Sequence, residues 1–318
     1  MRRALICGVA AVFLVAAVAV GAGAWMFFRH PLAVYAWMNR RELTRVGLVK
    51  ARADSPVGPQ TYWYSPDDSR KASRARVAFL HGAGDQAGTW ADAARALHPD
   101  YSLLVIDLPG HGDSAPASGP LPIATVLAGV SAVLDRETTD APVTLVGHSL
   151  GAWIASLYAV AHPSRVSRLV LVNGGPLRGD RDDLTLMPAN RAEAARILAQ
   201  LTDPGSAQMP GFVLDDIVRE ARSGGIARLS MAAGTMGAHL LDGRLALLTT
   251  PVDLLWGESD RVMSPGYARR LASQLPAARL TMIPRCGHVP QQECGARFIA
   301  ALKQVLAARP PARQAPRE

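Results

Sequence analysis

Short apolar runs bounded by Gly, Pro and Asp alternate along most of this chain with longer stretches of helical spacing. Residues 60–64 and 76–80 read as strands, 89–97 as a helix, and 101–108 form a nearly continuous apolar run. An uninterrupted run of that kind marks a parallel strand buried on both faces. A helix over 122–136 follows, with proline near its start, where a missing N–H is harmless. Next come a strand at 142–146, a helix at 150–162 and a strand at 166–172. The pattern resumes with a strand at 252–256, a helix at 265–275, a strand at 278–283 and a last helix from 291 to 309. Such alternation predicts an α/β fold built on a doubly wound, mostly parallel sheet.

Two stretches break the pattern. Between 174 and 250 the sequence shows helical segments, 191–201 and 213–222, separated by Asp203-Pro204-Gly205 and Ser223-Gly224-Gly225. This reads as a helical insertion over the sheet. At the other break, residues 4–28 carry no charge. At about 1.5 Å per residue, a helix of that length spans the roughly 30 Å of a bilayer core. Arg2 and Arg3 precede it, Trp25, Phe27, Phe28 and Arg29 close it, and Tyr35 and Trp37 follow, as in an interfacial belt.

The expectation is therefore a single-pass N-terminal membrane helix, with the membrane as a partner. A signal peptide cleaved near Ala22-Gly23-Ala24 is the rival, and would make the product secreted or periplasmic. Arginines on both sides leave orientation open. The division that results is an anchor (1–30), a juxtamembrane segment (31–59), an α/β core (60–174 and 251–309), a helical lid (175–250) and a disordered tail (310–318).

Composition narrows the class. With 49% hydrophobic and 19% charged residues, the chain suits a packed globular enzyme and not a disordered one. The net charge of +8 raises nucleic acid as a partner, but only Lys50, Lys71 and Lys303 are lysines and the arginines are scattered. Without a nucleic-acid motif, no such partner is expected. Of three cysteines, Cys7 lies in the apolar segment, and Cys286 and Cys294 bracket a histidine; the sequence leaves their pairing open.

The chemistry centres on Gly147-His148-Ser149-Leu150-Gly151, set between a strand and a helix. Strand, sharp turn with serine, helix is a nucleophile elbow, in which the glycines permit a turn too tight for side chains. A serine hydroxyl barely ionises at neutral pH, so it needs a base, and the base needs an orienting acid. Open α/β sheets place such groups at the carboxyl ends of strands. Asp260, in Trp256-Gly257-Glu258-Ser259-Asp260, and His288, in Cys286-Gly287-His288, occupy those places. Glu258 competes as the acid; His81, His111 and His148 compete as bases. An oxyanion hole requires two backbone donors. The N–H of Leu150 is one, and the N–H of Ala83, in His81-Gly82-Ala83-Gly84, is the other.

His-Gly-Ala-Gly (81–84), Asp-Leu-Pro-Gly-His-Gly-Asp-Ser (107–114), Gly-His-Ser-Leu-Gly (147–151), Trp-Gly-Glu-Ser-Asp-Arg-Val (256–262) and Cys-Gly-His-Val-Pro (286–290) stand in order. In these the chain resembles the α/β-hydrolase family, and its N-terminal segment and insertion resemble membrane-anchored members of the monoacylglycerol-lipase type. The resemblance implies a Ser149–Asp260–His288 triad, oxyanion donors at Ala83 and Leu150, and neither cofactor nor metal. It implies a small-molecule ester or lipid substrate; within the insertion, Met187, Met209, Phe212, Leu214, Met231 and Met236 supply flexible apolar surface for an acyl pocket. A carbon–carbon bond hydrolase or lactonase uses the same triad, and a non-catalytic membrane-bound binding module is the reading from another class.

Overall fold

The computed structural model describes residues 16, 18, 20–66, 74–138, 141–181, 185–275 and 277–313. Strands β1 (Val49–Ala53), β2 (Gln60–Tyr64), β3 (Arg76–Leu80), β4 (Ser102–Ile106), β5 (Val143–His148), β6 (Val166–Val172), β7 (Val252–Gly257) and β8 (Arg279–Ile283) form one sheet. Their order is β1-β2-β4-β3-β5-β6-β7-β8. The first two ladders are antiparallel, β1 with β2 and β2 with β4, and all later ones are parallel.

The described helices are α1 (Pro31–Arg45), α2 (Ala91–Leu97), α3 (Ile123–Glu137), α4 (Leu150–Ala161), α5 (Arg191–Leu201), α6 (Gly211–Glu220), α7 (Gly225–Ser230), α8 (Ala233–Met236), α9 (Pro265–Gln274), α10 (Pro290–Glu293) and α11 (Gly295–Ala307).

Side-chain alternation along the central strands supplies two cores, one on each face. Ala78, Leu80, Leu104, Ile106, Leu145, Leu169, Leu171 and Leu254 point to the face covered by α3, α4 and α9. Val77, Phe79, Leu103, Val105, Val146, Val170, Val172 and Leu255 point to the opposite face, covered by α1, α2 and α11. With helices on both faces, every parallel strand presents its carboxyl end to the same rim. That rim is where β3, β5, β6, β7 and β8 deliver the loops of interest.

The N-terminal expectation requires correction. Among the described residues no helix is long and apolar enough to cross a membrane, which overturns the single-pass assignment and the membrane partner drawn from it. Residues 1–15, 17 and 19, which include much of the apolar run, lie outside the described residues, as do 314–318 of the expected tail. The described helical turns over 20–29 end at His30, where the backbone leaves the helical region (φ −135°), and Pro31 starts a new helix.

The closing aromatics also have protein partners: the rings of Phe27 and Phe28 lie 5.7 and 5.2 Å from that of Phe212 on α6. What reads as a juxtamembrane segment belongs to the packed body. Leu43 is fully buried, the Leu32 N–H donates to Asp216 Oδ2 at 3.0 Å, and a Cβ on Gly88 would lie 2.7 Å from the Arg40 nitrogen.

Candidate active site

Ser149 sits between the end of β5 and the start of α4 with φ +50°, a left-handed conformation that a serine adopts only under constraint. The constraint is steric. A Cβ on Gly147 would lie 2.4 Å from the Gly151 carbonyl oxygen, and one on Gly151 would lie 2.3 Å from that of Leu80. Neither position accepts a side chain, so the chain turns at the serine. Gly174, following β6, passes as closely, since its Cβ would stand 2.5 Å from Ser149 Cα.

The loops after β7 and β8 meet this turn. Ser149 Oγ lies 3.1 Å from His288 Nε2, and His288 Nδ1 lies 2.9 Å from Asp260 Oδ2. With Nδ1–H donating to the carboxylate, Nε2 is left to accept from the serine hydroxyl. Asp260 and His288 are buried. The second carboxylate oxygen of Asp260 accepts the backbone N–H groups of Val262 (2.8 Å) and Met263 (2.9 Å), which fixes the carboxyl plane. Glu258, the rival acid, is exposed and lies outside this network.

Ala83 is half-buried beside the elbow: a Cβ on its neighbour Gly82 would come within 3.3 Å of Ser149 Cβ. Leu150 opens α4, in the first turn, where helical N–H groups lack intrahelical partners. Serine, histidine, aspartate and these two backbone segments thus converge on one spot. The arrangement can move a proton from Ser149 Oγ to His288 while Asp260 balances the imidazolium.

The competing histidines are held elsewhere. His81 is fully buried; its Nε2 accepts the Leu108 N–H at 2.9 Å, so Nδ1–H donates to the Gly82 carbonyl at 2.8 Å. His111 lies beside it, with ring centroids 5.3 Å apart and Nδ1 on the Pro109 carbonyl at 3.0 Å. Both ring nitrogens of His148 face partners other than Ser149. Its Nε2–H donates to the His288 carbonyl at 2.7 Å, and its Nδ1 lies 3.3 Å from the Gln291 amide.

Burial, and then the neighbouring His288 ring, pushes His148 down to about 3, against a weaker pull from that carbonyl. His148 therefore stays neutral in the fold while the unfolded chain binds a proton below about 6.5. The stability it contributes is complete above pH 6.5 and is lost as pH falls towards 3. Replacing His148 with glutamine, which keeps an N–H donor, is expected to flatten the stability–pH curve between pH 4 and 6. The change expected is one proton, about 1.4 kcal/mol per pH unit, read by urea unfolding at pH 4.5, 5.5 and 7.5. An unchanged slope would refute it.

Several partners were not visible in the sequence. The His288 N–H donates to the Leu201 carbonyl at 2.7 Å, and the Arg261 N–H to that of Gln200 at 3.2 Å, so the end of α5 ties the insertion to both loops. Cys286 and Cys294 form a disulfide around the His288 loop, with Cα atoms 5.8 Å apart. Asn173 touches Asp260 directly at 2.6 Å.

The acyl-pocket set does not assemble as expected. Met187, Met209 and Met231 are 39%, 49% and 71% exposed, Phe212 faces Phe27 and Phe28, and only Leu214 and Met236 turn inward. From the insertion it is instead Ile226 on α7 that reaches the Ala83 loop, 3.0 Å from where a Cβ on Gly84 would stand.

Residues 77–301 match the model of the alpha/beta hydrolase family. A 2-hydroxy-6-oxononadienedioate/2-hydroxy-6-oxononatrienedioate hydrolase of Cupriavidus pinatubonensis is 31% identical over 249 residues, 70% of this chain and 83% of its own. The chain belongs to the alpha/beta hydrolase family. It is an enzyme, a hydrolase, which sets aside the binding-module reading. Among solved structures, a membrane phospholipase A aligns with a TM-score of 0.69 at 23% identity, over 97% of this chain and 100% of that one. A meta-cleavage product hydrolase from Pseudomonas fluorescens aligns at 0.65 and 18% identity, over 80% and 96%. At these identities the two share the fold.

Proposed function

We propose that this hydrolase cleaves carboxylic esters through an acyl-enzyme. Ser149 is the nucleophile, His288 the general base and then acid, Asp260 the orienting carboxylate, and the N–H groups of Ala83 and Leu150 the oxyanion donors. The observation carrying the reading is the unbroken hydrogen-bonded line from Ser149 Oγ through His288 to Asp260.

In the first half-reaction His288 Nε2 takes the hydroxyl proton as Ser149 Oγ bonds to the ester carbon, and the carbonyl oxygen becomes an oxyanion between the two N–H groups. Collapse breaks the ester C–O bond, and His288 returns the proton to the departing alcohol. A water, deprotonated by His288, then adds to the acyl-enzyme and frees the acid and the serine.

The substrate we assign is a small ester with an apolar acyl part. Ile226 presents an aliphatic side chain to the Ala83–Gly84 loop, and Ala83, Trp153, Met236 and Met263 pack against one apolar cluster. Arg228, the buried cation of α7, donates to the carbonyls of Gly110, Pro116, Ser118 and Gly119, so its guanidinium is committed to the protein and not to a substrate carboxylate. On this reading residues 175–250 act as a lid over the core formed by 60–174 and 251–309.

A second reading, hydrolysis of a carbon–carbon bond in an oxo-dienoate, draws on the identity to the Cupriavidus enzyme. A panel of p-nitrophenyl esters of graded chain length, run beside oxo-dienoate diketones, separates the two. Turnover of C4–C10 esters with inert diketones is the expected result. Turnover of the diketones alone would give the second reading the field.

A further inference from the structure

Asn173 follows β6 directly and is fully buried, with φ +44°. Its backbone N–H donates to the Leu255 carbonyl at 3.1 Å, which binds the end of β6 to β7. Its side-chain amide makes three contacts, tying the end of β7 and its loop to the loop after β8. Nδ2 donates to Asp260 Oδ2 at 2.6 Å and lies 3.3 Å from the Gly287 carbonyl, one residue before His288. Oδ1 accepts the Gly257 N–H at 3.2 Å, at the end of the strand that carries the acid. The preceding residue, Val172, accepts the Ser149 N–H at 3.0 Å, so the same strand end also holds the elbow.

We propose that Asn173 is the positioning residue of this site: its amide locks the Asp260 carboxylate to the His288 loop and keeps Asp260 the single carboxylate behind the base. The inference rests on the triad reading above. An amide meets both requirements because one end donates and the other accepts, without charge. A carboxylate here would stand against Asp260 Oδ2 at hydrogen-bond distance, and two carboxylates so placed do not ionise independently. The other titratable groups that face the junction are His288, His148, whose Nε2–H holds the His288 carbonyl at 2.7 Å, and Glu293, which accepts the Gly287 N–H at 2.5 Å.

The backbone chooses the test. Glycine, aspartate and asparagine tolerate φ near +44°, whereas alanine there would add strain of its own. Asn173→Gly removes the amide and keeps the turn; Asn173→Asp keeps shape and turn but adds a charge. For Asn173→Gly we expect kcat on a p-nitrophenyl ester to fall about 10–100-fold with KM little changed, since the proton relay and not substrate binding is disturbed. For Asn173→Asp the extra negative charge favours the imidazolium, so the acidic limb of the kcat/KM–pH profile should move up by about one unit or more. Its activity should recover partly at alkaline pH.

A merely structural role would lower kcat equally at all pH values, in step with a drop in Tm, and leave the limb where it is in the wild type. That result, or wild-type kinetics in both variants, overturns the proposal. Should Asn173→Asp not fold, the kcat-against-KM split in Asn173→Gly decides alone. Ser149→Ala and Asp260→Asn run in parallel: activity in both would indict the triad, whereas two dead controls with an unmoved limb would count against Asn173 only.

Discussion

Ser149→Ala is expected to lower kcat for ester hydrolysis by about 10⁶-fold, with the fold intact. Serine and alanine share a Cβ, and the strain at φ +50° comes from the Gly147 and Gly151 contacts that hold the turn, so the variant meets the same backbone constraint. What it loses is the one atom 3.1 Å from His288 Nε2. Nucleophile, base and acid act as a unit, and removing the nucleophile idles the other two; residual rate then comes from binding and the oxyanion donors. Stopped assays with purified protein at high concentration measure the difference. A loss of only tenfold would mean that water attacks the substrate directly and that the serine is a bystander.

The second large effect belongs to the acid. Asp260→Asn is expected to lower kcat by about 10⁴-fold. The Asp260 carboxylate accepts four hydrogen bonds, from His288, Asn173, Val262 and Met263. An asparagine has one accepting oxygen. If that oxygen faces Val262 and Met263, its NH₂ confronts two donors and His288 must give up the Nδ1–H tautomer, so Nε2 no longer accepts from serine. If it faces His288 instead, the NH₂ is driven against two backbone N–H groups. Either orientation removes the anion that balances the imidazolium. The exposed Glu258 provides the control, and Glu258→Gln should be nearly silent. A reversal of the two effects would place the acid at Glu258.

Much of this was legible in the chain because close backbone contacts leave glycine signatures. Gly147 and Gly151 flank Ser149 since any Cβ there meets a backbone oxygen or nitrogen, and the central strands read as apolar runs since both faces are covered. Helix α7 was not legible. Ser223-Gly224-Gly225 looks like a linker, yet Gly225 is a contact residue, whose Cβ would lie 2.1 Å from His111 Nε2. The last helix reads as continuous but divides at Cys294, where φ is −125° and the disulfide to Cys286 begins.

Asn173 shows a different limit. Its place after β6 is visible in the sequence, but its amide finds Asp260 across 87 positions, and no local pattern carries that contact. The N-terminal segment misled for a third reason. Hydropathy marks Phe27 and Phe28 as apolar and is silent on their neighbours: each ring meets Phe212, while the two residues stay 47% and 60% exposed.

The central step is a covalent intermediate at one serine, and peptide mass spectrometry after reaction with a fluorophosphonate reads it directly. The phosphonyl adduct should fall on Ser149 in the wild type and be absent from Ser149→Ala. Labelling at another residue, equal labelling of both proteins, or a wild type that hydrolyses esters yet never takes up the probe would contradict it.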